Sequence, residues 1–175
     1  LRISLVTFGP GTQVPAWFGH TALGVEDTRN RVSLLYNYGM FNFDETMVAR
    51  FVMGRLWFWV GATPYRRTLR HYRSQDRDVR IQYLNLKPES RLELARALAE
   101  NARPENREYL YHHYDDNCAT RIRDMIDGAV EGQLREAASG QARMSLREHT
   151  RRHAQIGLLD YGMMFAMSHD VDAPI

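Results

Sequence analysis

The sequence predicts an α+β fold, an antiparallel sheet with helices segregated around it. Two observations carry that expectation. Short β-former-rich runs recur through the first half of the chain and are joined by turn-rich segments. Longer segments of helical periodicity dominate the second half. The 175 residues contain no internal repeat, low-complexity stretch or dividing linker, so one domain over 1–175 is expected.

Leu1 to Phe8 alternates and reads as a strand. Gly9-Pro10-Gly11-Thr12 is a loop by its turn chemistry, and it runs on to about Phe18. His20 to Val25 and Val32 to Tyr38 read as two strands. The connection between them is short and polar, which predicts an antiparallel hairpin. Glu45 to Arg55 has the pattern of a short helix, and Leu56 to Val60 that of a buried strand.

Thr63-Pro64 reads as an N-cap followed by proline at the first helical position. The helix it opens places Tyr65, Leu69 and Tyr72 on one face and Arg66, Arg70 and Arg73 on another. Asp78 to Leu86 alternates as a strand. Pro88 to Arg103 is an amphipathic helix with Leu94, Ala95, Leu98 and Ala102 at core spacing. Tyr109 to Tyr114 is aromatic and extended. Asp116 or Asn117 caps a helix starting near Cys118, with Ile122, Met125, Ile126, Ala129 and Val130 on its apolar face. Ser145 to Glu148 is a capping box opening another helix. A further helix is expected from Ile156 to Met167, as a contact to the core or to lipid.

The net charge of +2 gives no reason to expect a nucleic-acid partner. No apolar run approaches the roughly 18 residues of a membrane span. Both ends read as cut from a longer chain. The single cysteine, Cys118, excludes an internal disulfide and a multi-thiolate metal site. No cofactor is called for. His112, His113, Asp115, Asp116 and Cys118 have the chemistry of metal ligands, but their spacing matches no standard site.

Taken alone, a free cysteine is usually a small buried hydrophobe. Cys118, however, falls in the first turn of its predicted helix, where the dipole and free N–H groups favour a thiolate. A cysteine nucleophile needs a base. Among seven histidines, His20 stands apart, at the start of a strand and behind Gly19. His112 and His113 are near Cys118 in sequence, but neighbours in an extended run point opposite ways. His71, His149, His153 and His169 read as surface or packing residues. The base in turn needs an orienting partner. Tyr36, Asn37 and Tyr38 on the facing strand are candidates. Asn37 is chemically the best of them, but alternation alone does not decide which of the three faces His20.

Four blocks stand in order: Gly9-Pro10-Gly11, Phe18-Gly19-His20-Thr21-Ala22, Tyr36-Asn37-Tyr38-Gly39 with Phe41 and Phe43, and Asp116-Asn117-Cys118-Ala119-Thr120-Arg121-Ile122-Arg123-Asp124. With them the chain resembles the N-terminal periplasmic domain of Lnb-type bacterial lipoprotein N-acyltransferases, from about Leu5 to Ala173. The resemblance implies a permuted papain-like (NlpC-type) fold, with the histidine strand before the cysteine helix. It implies Cys118 as nucleophile and His20 as base, and it leaves the third member, for which Asn37 is the candidate, unsettled. The implied reaction moves a phospholipid acyl chain through a Cys118 thioester to the α-amino group of a lipoprotein's lipidated N-terminal cysteine. The implied place is the periplasmic face of the inner membrane, with membrane contact through segments outside this chain.

On that reading, Trp17 is expected as a wall of the acyl groove, and Tyr36, Tyr38 and Asn117 as further substrate contacts. Arg121 is expected to hold a lipid phosphate, with a salt bridge to Asp115 or Asp124 as its structural alternative. Two other functions stay open on the same residues. One is a papain-like peptidase or amidase acting on cell-wall peptides. The other is a non-catalytic lipid-binding domain in which Cys118 merely packs.

Overall fold

The computed structural model describes residues 1–13, 16–42, 56–140, 143–153 and 172. The expected helices over 45–55 and 156–167 lie outside them. Six strands form one antiparallel sheet: β1 (Arg2–Phe8), β2 (His20–Asp27), β3 (Val32–Met40), β4 (Trp57–Pro64), β5 (Val79–Tyr83) and β6 (Glu108–Leu110). Their order across the sheet is β5-β1-β2-β3-β4-β6. The described helices are α1 (Tyr65–Ser74), α2 (Pro88–Asn101), α3 (Cys118–Ala129), α4 (Gln133–Ala137) and α5 (Leu146–His153). The α+β class is as the sequence predicts.

The period-2 alternation of the strands divides the core into two layers. Val6, Phe8, Ala22 and Leu35 point to one face, where Tyr65, Leu69 and Tyr72 of α1 cover them. Ile3, Leu23, Val25, Tyr36 and Tyr38 point to the other, under Leu94 and Leu98 of α2 and Ile122 of α3. The apolar faces read from α1, α2 and α3 are the faces that pack.

The β2–β3 hairpin forms as expected. Asp27 closes its turn by accepting from the backbone N–H groups of Arg29 and Asn30 at 2.9 and 3.3 Å. The Asx geometry satisfies amides that the ladder leaves unpaired. Leu23 pairs with Tyr36 and Asp27 with Val32. Residues of opposite parity therefore share a face, which puts His20 and Asn37 together on the α1 side. Tyr36 and Tyr38 point the other way.

Some boundaries differ from expectation. Strand β4 runs on to Pro64 because Gly61 to Pro64 continue the ladder against β3. Pro64, not Thr63, is therefore the N-cap of α1. The Thr63 hydroxyl instead bonds Thr68 Oγ1 at 2.8 Å. The aromatic run after Arg107 is a strand for only three residues, because the chain then turns back and pairs His112 with Asp116. Of the two candidate caps for α3, Asn117 is the one used. Its Oδ1 accepts from Ala119 and Thr120 N–H at 2.8 and 3.0 Å, and Thr120 Oγ1 accepts from Asn117 N–H at 2.9 Å. The capping box at Ser145 forms as read, with Glu148 accepting from Ser145 N–H at 2.8 Å.

Candidate active site

His20 stands at the first position of β2. Gly19 turns the chain there with φ +72°. An added Cβ at Gly19 would fall 2.7 Å from the Phe8 carbonyl oxygen, so the strand start is sterically reserved for glycine. The imidazole stacks on Phe8 at 5.8 Å and on Tyr72 at 6.1 Å between ring centres. His20 Nε2 lies 3.2 Å from Asn37 Oδ1.

The Asn37 amide is itself fixed. Its Nδ2 donates to the Leu35 carbonyl at 3.1 Å and to Thr63 Oγ1 at 2.9 Å. Its oxygen is thereby aimed at His20, so Nε2 carries the imidazole proton and Nδ1 keeps its lone pair. Burial is the main cause that lowers the His20 pKa, to about 4; the Asn37 bond opposes this and Arg77 adds to it. At neutral pH the ring is an uncharged base with one open nitrogen.

Cys118 is the first residue of α3 and half-buried. Asn117 caps the next two amides but not that of Cys118, whose N–H donates to nothing among the described residues. The helix start reaches the sheet at the end where β2 begins and β3 bulges. Thr21 Oγ1 donates to the Cys118 carbonyl at 3.3 Å. Gly39, in the bulge between Asn37 and Met40, has φ +84°. A Cβ on Gly39 would lie 3.6 Å from Cys118 Cβ and 3.9 Å from the Tyr109 hydroxyl. Both are ordinary contact distances, so it is the positive φ rather than lack of space that favours glycine there. Cys118 thus adjoins Thr21 and Gly39, which flank the histidine and asparagine in sequence. It also lies near enough to Tyr72, across the layers, to raise that phenol's pKa beyond the effect of burial.

The expected substrate contacts have other tasks here. Trp17 is 1% exposed and donates to the Thr12 carbonyl at 3.3 Å, and the neighbouring Ala16 carbonyl accepts from the N–H groups of Gly11 and Gly19. It is core to that loop rather than a groove wall. Tyr36 and Tyr38 are buried under α2 and α3, and the Tyr38 hydroxyl accepts from Asn101 at 2.9 Å. Asn117 spends its side chain on the cap and on the His113 carbonyl, at 2.6 Å. Arg121 pairs with Asp116, neither of the partners expected, through Nη2 to Oδ2 at 2.7 Å and through Nε to Oδ1. Its guanidinium also sits 3.8 Å over the Tyr109 ring. Asp124 is taken by Arg123.

The other histidines fall elsewhere. His112 is exposed and pairs with Asp115 at 2.9 Å, while the ring of His113 meets Phe18 edge-on. No group of three or more potential metal ligands occurs among the described residues.

An open groove of about 960 Å³ lies on the α1 side of the sheet. His20 and Asn37 line its floor, with Arg67, His71, Tyr72 and Arg77 around them. Sequence reasoning missed the parts of Thr63, Tyr72 and Arg77 at this groove. The hairpin register was the usable signal for Asn37, since a four-residue turn pairing 27 with 32 fixes which strand-three residues share the His20 face.

No helix among the described residues is long and apolar enough to cross a membrane. No curated protein and no solved structure matches the chain. Residues 1–153 match the family described as the Lnb N-terminal periplasmic domain. With most of its length matched, the His20 and Cys118 segments included, the chain belongs to the Lnb N-terminal periplasmic domain family.

Proposed function

We propose that this domain is a cysteine acyltransferase of the periplasmic face of the inner membrane. It moves an acyl chain from a phospholipid to the α-amino group of a lipoprotein's N-terminal lipidated cysteine. The observation that carries this reading is the His20–Asn37 pair. Nε2 is committed to Asn37 at 3.2 Å, the ring is neutral, and Nδ1 is left for a proton. A nucleophile whose backbone N–H is free stands at the neighbouring helix start. Together these supply the parts that thiol acyl transfer requires.

In the first half-reaction, His20 Nδ1 takes the Cys118 thiol proton as the sulfur attacks the donor's ester carbonyl. The Cys118 N–H donates to the oxyanion that forms. The tetrahedral species collapses, the C–O bond breaks, and the proton on Nδ1 passes to the departing lysophospholipid oxygen. In the second half, the acceptor amine attacks the thioester carbonyl and its proton goes to Nδ1. The C–S bond then breaks and the thiol regains its proton. Asn37 keeps the ring orientation constant through both halves.

The covalent intermediate gives the direct test. Protein incubated with phospholipid should gain one acyl mass on Cys118, removable by hydroxylamine. Absence of the adduct, with release of peptides from cell-wall material, would move the assignment to the peptidase class.

The low pKa of His20 gives a second expected result. A base must be unprotonated to act. The acid limb of kcat/KM is therefore expected near pH 4 rather than near the ordinary histidine value of about 6.5. The folded state also binds fewer protons at His20 than the unfolded chain between those two values. Stability should accordingly fall as pH drops through that window. An acid limb at about 6.5 in the pH profile would contradict the neutral, desolvated base.

A further inference from the structure

Arg77 is the unusual cation of this fold. Its Nε donates to the Gly9 carbonyl at 2.8 Å, and its guanidinium lies 4.7 Å over the Tyr72 ring. Its Nη2 is buried without a hydrogen-bond partner. No carboxylate pairs with it among the described residues, although Asp76 and Asp78 flank it in sequence. Arg77 is half-buried, and a buried guanidinium nitrogen without an acceptor is costly unless an anion completes it.

The surroundings are built to hold it there. Gly9 N–H donates to the Asp78 carbonyl at 2.8 Å, which ties the glycine loop to the segment carrying Arg77. A Cβ on Gly11 would meet Ala16 Cβ at 2.9 Å and Arg77 Cδ at 3.4 Å, so the loop packs directly against the Arg77 side chain. Arg77 shares the 960 Å³ groove with Arg67, His71 and His20, and no Asp or Glu is among the described residues that line it. The groove is thus wide, one-signed and centred on an incompletely satisfied fork of the kind that binds phosphate oxygens in pairs.

We infer that this groove is a phosphate subsite anchored by Arg77 and supported by Arg67. Resting on the acyltransfer reading, its occupant is the phosphate of the donor lipid, which would fix the ester at a set distance from His20. The role expected for Arg121 from sequence therefore passes to an arginine on the opposite layer.

The test uses the 175-residue chain carrying Cys118→Ala, so that binding is read without turnover. Calorimetry compares dihexanoyl phosphatidylglycerol, its phosphate-free counterpart dihexanoylglycerol, and inorganic phosphate. The phospholipid should bind at least about tenfold more tightly than the diacylglycerol, and inorganic phosphate should compete with it. Arg77→Gln, checked for folding by circular dichroism, should remove that advantage. Arg77→Lys should restore part of it, keeping the charge without the fork. Arg70→Gln, exposed on α1 outside the groove, should leave it intact. Arg77-dependent binding of inorganic phosphate that the phospholipid fails to displace would support the phosphate chemistry and assign its source to the free ion. Equal affinity for phospholipid and diacylglycerol, or unchanged binding by a folded Arg77→Gln chain, overturns the subsite.

With Cys118 intact, the two proposals separate. If the acyl adduct forms as fast in Arg77→Gln, the subsite fails and acyl transfer stands. If Arg77-dependent binding occurs and no adduct forms, the subsite stands and acyl transfer fails.

Discussion

Cys118→Ser is expected to lower acyl transfer by at least about 10⁴-fold while the domain stays folded. The substitution keeps the size of the side chain at the start of α3, and the Asn117 cap does not involve the sulfur. The hydroxyl is a far weaker nucleophile than the thiol at the same position. His20→Ala should cost about 10²–10⁴-fold, the span of a lost general base. The double variant should be little worse than Cys118→Ser, because the two groups act as one unit. Rates measured as acceptor N-acylation, with circular dichroism and thermal melting on each variant, check all three. Normal transfer by a folded Cys118→Ser chain would exclude Cys118 as the nucleophile.

The largest stability effect is expected at Gly24, where the function is not touched directly. Gly24 lies on β2 opposite Ser4, beneath the ring of Tyr65. A methyl group there would fall well inside contact distance of both Tyr65 Cε2 and Ser4 Oγ. Tyr65 is 5% exposed and its hydroxyl bonds Ser4 Oγ at 3.0 Å, so neither side chain can yield without breaking the other's contact. Overpacking of this kind costs about 3 kcal/mol. For a chain of this length, that lowers the melting temperature by about 10 °C. Tyr65→Leu in the Gly24→Ala background should recover part of the loss, since the two positions are in contact. Additive losses in the double variant would locate the strain elsewhere.

The parts of this fold that the sequence makes legible are local. The β2–β3 hairpin, the caps at Asn117 and Ser145, and the apolar faces of α1 to α3 each follow from residues a few positions apart. The positions of Cys118 and His20 are legible for the same reason, one at a helix start and the other at a glycine-led strand start. The pairing of His20 with Asn37 depends on register, which a turn length sets and alternation does not. Arg77 reaches the groove through the Gly9–Asp78 bond, a contact across about 70 residues that no local pattern announces. The burial of Trp17 is not legible because its contact to the Thr12 carbonyl depends on how the loop turns, which composition does not set. Arg121 was read for its charge, while its geometry serves Asp116 and the Tyr109 face.

The two layers of the core carry the proposed base and the proposed nucleophile separately. His20 and Asn37 point toward α1, whereas Cys118 arrives with α3 from the opposite side of the sheet. Neither layer holds a complete reactive group. The two layers come together at the end of the sheet, where Thr21, next to His20, donates through Oγ1 to the Cys118 carbonyl at 3.3 Å, and where the His20 ring is buried against Phe8 and Tyr72. A half-assembled chain would therefore hold His20 and Cys118 apart. Under the proposed mechanism, folding itself is the step that brings the two halves of the site into one place.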